Sequence, residues 1–161
     1  MKVLYIDDVK PHLKYIEKTL GKSDEIELYT LHFNSEESID EVLEMIESSI
    51  TMRAPFQVIL CDYEMPIQGN VVLEKIAFKV RQLESLHEYG RSIRPVGIIY
   101  TAGASQDQVK TSPLSWICGV IYKKGQLSPK QIYAMLIDFC SIGGNESKFA
   151  ICSHDRNKVQ S

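Results

Sequence analysis

Apolar residues fall into short runs separated by amphipathic stretches, and the run Val58-Ile59-Leu60-Cys61 is the most uniform. It leads straight into Asp62, and Pro66 four residues later stops a strand or a helix from continuing. A run this short and this apolar reads as a strand buried on both faces, as in a parallel sheet. The pattern repeats. Lys2–Ile6 ends in Asp7-Asp8, Ile26–Phe33 alternates, Val96–Tyr100 follows Pro95 and runs into Thr101, and Gly119–Tyr122 runs into Lys123. With the central run taken as Phe56–Cys61, five strands are predicted.

Helical spacing fills the intervals. From Pro11, the residues Leu13, Ile16 and Leu20 recur on one face, with Gly21 as a stop. Asn34 is expected to cap a second helix, with Glu37 three residues on and Ile39, Val42, Leu43, Ile46 and Ile50 as its buried stripe. Val71–Tyr89 reads as a long amphipathic helix ended by Gly90, and Ser128-Pro129 opens a last helix that ends before Gly143-Gly144. The helix between Thr101 and the fifth strand fits least well. Ser105–Thr111 is mostly polar, and Pro113 would cost a helix interior about 3 kcal/mol, so a short helix beginning near Pro113 is expected after a long loop. Strands alternating with helices predict an α/β, doubly wound, five-stranded parallel sheet. Residues 1–142 are read as one domain and 143–161 as a polar, flexible tail.

Composition narrows the options without choosing among them. The 161 residues suit a single core, and 44% apolar with 24% charged residues is ordinary for a globular chain. A formal charge of −3 argues against a nucleic-acid or anionic-membrane surface. The apolar runs are too short to cross a bilayer, and Asp7-Asp8 cuts off any signal-like segment at the start. Cys61, Cys118, Cys140 and Cys152 form no CxxC pair, which removes zinc and thioredoxin-type readings and leads us to expect a reduced, cytoplasmic protein.

The chemistry gathers at the strand ends. Right-handed crossovers put all carboxyl ends of a parallel sheet at one edge, so Asp7, Asp8, Asp62, Thr101 and Lys123 are expected to converge. Three close carboxylates repel unless a cation sits among them, and Mg2+, with its hard oxygen shell, is the natural occupant. A cation beside a carboxylate nucleophile, with a hydroxyl and an ammonium at hand, suits phosphoryl transfer onto Asp62. Each feature alone has a plainer reading: a solvated turn, a helix cap, a surface charge. Their joint placement does not.

Lys2–Asp8, Val58–Pro66 with Gly69, Ile98–Ala102 and Gly119–Lys123 together resemble the response-regulator receiver domain of two-component signalling, over roughly residues 2–141. The resemblance implies a flavodoxin-like (βα)5 fold with Asp62 as phosphoacceptor. It implies Mg2+ held by Asp8, Asp62 and the main-chain carbonyl of Glu64, with Asp7 acting through a water. It further implies that Lys123 contacts the phosphoryl oxygens and that Thr101 swings to meet them. The upstream partner would be a sensor histidine kinase or a histidine phosphotransfer protein. A downstream protein would bind in a phosphorylation-dependent way, and Tyr133 and Phe139 on the last helix offer a homodimer face.

Four positions stand out against the family pattern. Lys124 stands where proline usually follows the lysine, and a cis bond there would cost about 2.5–4 kcal/mol. Val120 stands at the usual aromatic switch position, with Tyr122 two residues on along the same strand face. Glu64 and Gly103, two residues beyond Asp62 and Thr101, flank the path that attacking water takes in the family; Gly103 leaves it open. The loop at Lys124, the missing switch aromatic and the broken helix near Pro113 support an alternative, a receiver-fold interaction module that never uses phosphate. A free-standing aspartyl-phosphate phosphatase would need a cap that no segment here supplies. A flavodoxin would need a Ser/Thr-Gly phosphate cradle, where this chain has Asp-Asp-Val-Lys-Pro.

Overall fold

The computed structural model describes residues 1–87, 94–103, 117–122, 128–142 and 150–152. Within them the strands are β1 (Lys2–Asp7), β2 (Glu27–His32), β3 (Val58–Cys61), β4 (Val96–Thr101), β5 (Ile117–Tyr122) and β6 (Ala150–Cys152). The helices are α1 (Lys10–Thr19), continued by a 3-10 turn at Leu20–Lys22, then α2 (Ser38–Thr51), α3 (Gly69–His87) and α4 (Pro129–Ile142). All pairings are parallel, in the order β2-β1-β3-β4-β5-β6. The predicted short helix near Pro113 lies outside the described residues, as does the Lys123–Lys124 bond.

The five predicted strands are present, and the sheet carries a sixth. Ala150-Ile151-Cys152 pairs with Gly119, Val120 and Ile121 of β5, so part of the expected polar tail joins the sheet. A short apolar triplet with a β-branched centre suits a strand, and β5 would otherwise present an unpaired edge.

Burial follows strand position. All four residues of β3 are buried, which is why its sequence is apolar without alternation. Edge strand β2 alternates between exposed and half-buried positions along Glu27–Thr30. Alternate residues of the central strands enter two cores. Leu4, Ile6, Ile59, Cys61 and Ile99 pack with Val42, Ile46 and Ile50 of α2 and Val72, Ile76 and Val80 of α3. Val3, Tyr5, Val58, Leu60, Ile98 and Tyr100 pack with Leu13 and Ile16 of α1 and Ile132 and Leu136 of α4. The sheet is therefore covered on both faces, with α2 and α3 on one side and α1 and α4 on the other.

The helix starts show where local signals succeed and fail. Ser128 and Gln131 form a reciprocal capping box for α4: Gln131 N–H donates to Ser128 Oγ at 3.2 Å, and Ser128 N–H donates to Gln131 Oε1 at 2.8 Å. Asn34 does not cap α2. That helix begins later, at Ser38, after a turn closed by Ser38 N–H to the Ser35 carbonyl, and Asn34 Oδ1 instead accepts the Ser38 hydroxyl at 3.1 Å. Two alternative hydroxyl and amide partners lie within one turn, so the capping pattern is ambiguous in sequence.

Candidate functional site

β1 and β3 lie side by side at the centre of the sheet, and their ends deliver the acids. The Asp62 N–H donates to the Ile6 carbonyl at 2.9 Å, which continues the ladder one step past β3 and ties Asp62 beside the Asp7-Asp8 pair. One carboxylate oxygen from each of Asp7, Asp8 and Asp62 lies within 4.8 Å of the others. Asp7 and Asp62 are buried and Asp8 is half-buried. Three hard, anionic oxygen donors at this spacing suit a small divalent cation of the Mg2+ type, since thiolate and imidazole ligands are absent from the set. Mutual repulsion among buried carboxylates is the physical reason for such a group to want one.

The loop after Asp62 is closed by a glycine. The Gly69 N–H donates to the Tyr63 carbonyl at 2.8 Å, and a Cβ built on Gly69 would lie 1.9 Å from the Asp62 carbonyl oxygen. Only a residue without Cβ lets the first turn of α3 sit this close to the Asp62 main chain. Glu64 is exposed on the same loop.

Thr101 ends β4, next to β3, and is 1% exposed; its Oγ1 accepts the Gly103 N–H at 3.3 Å. Gly103 faces open space, with nothing within 4 Å of a built Cβ. β5 ends at Tyr122, in register with Thr101. Lys123 is the next residue in sequence and lies outside the described residues. The structure thus brings Asp7, Asp8 and Asp62 together and sets Thr101 at the end of the adjacent strand.

Several site residues were not anticipated. Tyr5 O–H donates to Asp7 Oδ2, the Val9 N–H donates to Asp7 Oδ1 at 2.9 Å, and His12 Nδ1 lies 3.2 Å from Asp7 Oδ2. His32 Nε2 donates to the Asp8 carbonyl at 2.9 Å. Burial, then the Asp7 carboxylate beside it, pushes the Tyr5 phenol far above its ordinary range, so it stays protonated and serves as a fixed donor. Burial, then Tyr15 and Asp7, pushes Tyr100 up to about 12. The Tyr5 and Tyr100 rings meet edge to face at 5.7 Å. Strand alternation was the available signal for Tyr5, which shares a face with Asp7. The histidines come from α1 and β2, and spacing alone does not reveal their convergence.

The fold is that of the response-regulator receiver domain. The chain is similar to the CheY-like receiver domain protein of Methanospirillum hungatei JF-1, with a TM-score of 0.61 at 19% identity over 91% of this chain and 98% of that one. A receiver domain protein from Clostridium thermocellum matches with a TM-score of 0.60 at 18% identity, covering 87% of this chain and 94% of that one. A phosphorylated cyanobacterial phytochrome response regulator matches with a TM-score of 0.54 at 14% identity, covering 91% and 96%. No protein-family model matches the sequence, and no curated protein matches it. Among the described residues, no helix is long and apolar enough to cross a membrane.

Proposed function

We propose that this chain is a cytoplasmic response-regulator receiver unit. It would take a phosphoryl group onto Asp62 from a phosphohistidine on a sensor histidine kinase or a histidine phosphotransfer protein. The observation that carries this reading is the convergence of the Asp7, Asp8 and Asp62 oxygens within 4.8 Å at the ends of the two central strands. In the step itself an Asp62 carboxylate oxygen attacks phosphorus as the N–P bond breaks, and the histidine nitrogen leaves with the bonding pair. The product is an acyl phosphate, which water later hydrolyses.

Asp8, Asp62 and the main-chain carbonyl of Glu64 would hold Mg2+, with Asp7 acting through a water. The cation, when bound, neutralises charge on the phosphoryl oxygens. Asp62 is oriented for attack by its main-chain bond to Ile6 and by the Gly69-closed loop behind it. Thr101, buried at the end of β4, supplies a hydroxyl and Lys123 an ammonium to those oxygens. The receiver unit would span residues 1–142 in the complete (βα)5 arrangement, with β6 of the following segment added at the sheet edge. Phosphorylation biases a two-state surface that binds a downstream protein or a second copy of the chain, with no nucleic acid involved. The half-buried Tyr133 of α4 lies at that surface; the side chain of Phe139 is outside the described residues.

Intact-mass spectrometry after incubation with acetyl phosphate or phosphoramidate tests the reading. A Mg2+-dependent gain of one phosphoryl group, absent from Asp62→Asn, is expected. Stoichiometric label on Asp62→Asn would refute it. No adduct under any condition would favour the phosphate-independent interaction module, which Val120 and Lys124 at the family's switch and proline positions support.

A further inference from the structure

Asp7 is held from three consecutive elements of the chain. Tyr5 reaches it from β1, Val9 from the β1–α1 turn and His12 from the first turns of α1. Two of these, the Tyr5 O–H and the His12 ring N–H, meet on the same oxygen, Oδ2, while Val9 holds Oδ1. Tyr5 itself is fully buried and braced edge to face against Tyr100, so its hydroxyl has little freedom to follow Asp7 elsewhere. A carboxylate beside two others would otherwise rotate away to lower the repulsion. Donors gripping both oxygens oppose that rotation.

We propose that Tyr5 and His12 are positioning residues that together hold Asp7 Oδ2 and thereby set the affinity of the acidic site for Mg2+. The inference rests on the reading of Asp7, Asp8 and Asp62 as the Mg2+ site. Neither residue touches the cation. Each acts by keeping the Asp7 carboxylate aimed while Asp8 and Asp62 take the metal. Partners that orient a ligand in this way typically contribute about 10–100-fold in metal affinity. The Tyr5 hydroxyl is neutral and His12 is 44% exposed in its side chain, so the lower end of that range applies.

The test is a Mg2+ titration by isothermal calorimetry on wild type, Tyr5→Phe, His12→Ala and His12→Asn, with thermal unfolding in EDTA as the check on folding. Tyr5→Phe and His12→Ala are each expected to weaken Mg2+ binding by about tenfold. His12→Asn keeps an N–H donor at the same distance along the side chain and is expected to return affinity to within about threefold of wild type. Mg2+ affinity within about twofold of wild type in both Tyr5→Phe and His12→Ala overturns the clamp. So does a His12→Asn protein as weak as His12→Ala, because loss of ring packing would then explain both. If Tyr5→Phe fails to fold, the His12 pair decides alone, since it lies at a partly exposed position. Wild type with no Mg2+ binding, or unchanged binding in Asp62→Asn and Asp8→Asn, overturns the acidic-site reading and the clamp together.

Discussion

Gly69→Ala is the most demanding test of how the site is built. A Cβ at this position would lie 1.9 Å from the Asp62 carbonyl oxygen, 2.8 Å from its carbonyl carbon and 3.0 Å from the Tyr63 Cα. Real Cβ contacts essentially never fall below 3.0 Å, so main chain must separate by about 1 Å. Neither side gives easily. Asp62 is bonded through its N–H to Ile6, the Gly69 N–H holds the Tyr63 carbonyl, and α3 is anchored by buried Val72, Leu73 and Ile76. The loop from Asp62 to Gly69 therefore opens, and the proposed nucleophile moves with it. A misplacement of about 1 Å at a reacting group costs on the order of 100-fold in rate, or about 2.7 kcal/mol. Overpacking adds roughly 1–3 kcal/mol of destabilisation.

The assay is the initial rate of Mg2+-dependent labelling by phosphoramidate, followed by intact mass, with circular dichroism melting alongside. Gly69→Ala is expected to fold with a lowered melting temperature and to label about 100-fold more slowly than wild type. Gly103→Ala, whose new methyl group enters open space, is expected to label within about threefold of wild type and serves as the control. A Gly69→Ala protein that labels at the Gly103→Ala rate would refute the argument that this contact holds Asp62 in place.

Other expectations follow from the same geometry. Lys123→Ala should leave Mg2+ affinity within about threefold of wild type, because the acids converge without it, yet uncouple phosphorylation from partner binding; loss of the Mg2+ site in a calorimetric titration would contradict this. Stability should fall at alkaline pH. The unfolded chain releases the Tyr100 proton near 10.0, whereas the folded chain keeps it to about 12, so the folded state binds more protons in that interval. The contribution is complete below pH 10.0 and is lost as pH rises toward about 12, and buried Tyr5 acts in the same direction. Denaturant midpoints from neutrality to about pH 11, with phenolate absorbance alongside, check this. Midpoints that stay level, or ionisation of all eight tyrosines before unfolding, would refute it.

Much of the frame was legible because burial on two faces leaves a residue little choice. Val58–Cys61 is apolar throughout for that reason, and its strand identity, its central place and the edge position of Asp62 all follow. The parallel run of the strands carries Asp7, Asp8 and Thr101 to the same edge as Asp62, which is why these four residues, scattered through the sequence, could be read with Lys123 as one site. The start of α4 at Ser128-Pro129 was legible too, and the bonds between Ser128 and Gln131 complete it within one turn.

Tertiary structure decided what depends on approach between distant segments. That Gly69 must be glycine comes from the Asp62 carbonyl lying where its side chain would go, and no local conformational rule predicts that. The engagement of the Asp8 carbonyl by His32, far away in sequence, arises because β1 and β2 end at one corner of the sheet. The place of Ala150–Cys152 depends on an unpaired edge of β5, a property of the assembled sheet and of no single stretch of chain. Periodicity reports which side of an element is buried. Distances of 2–3 Å between elements are set only once the two cores on either side of the sheet have packed.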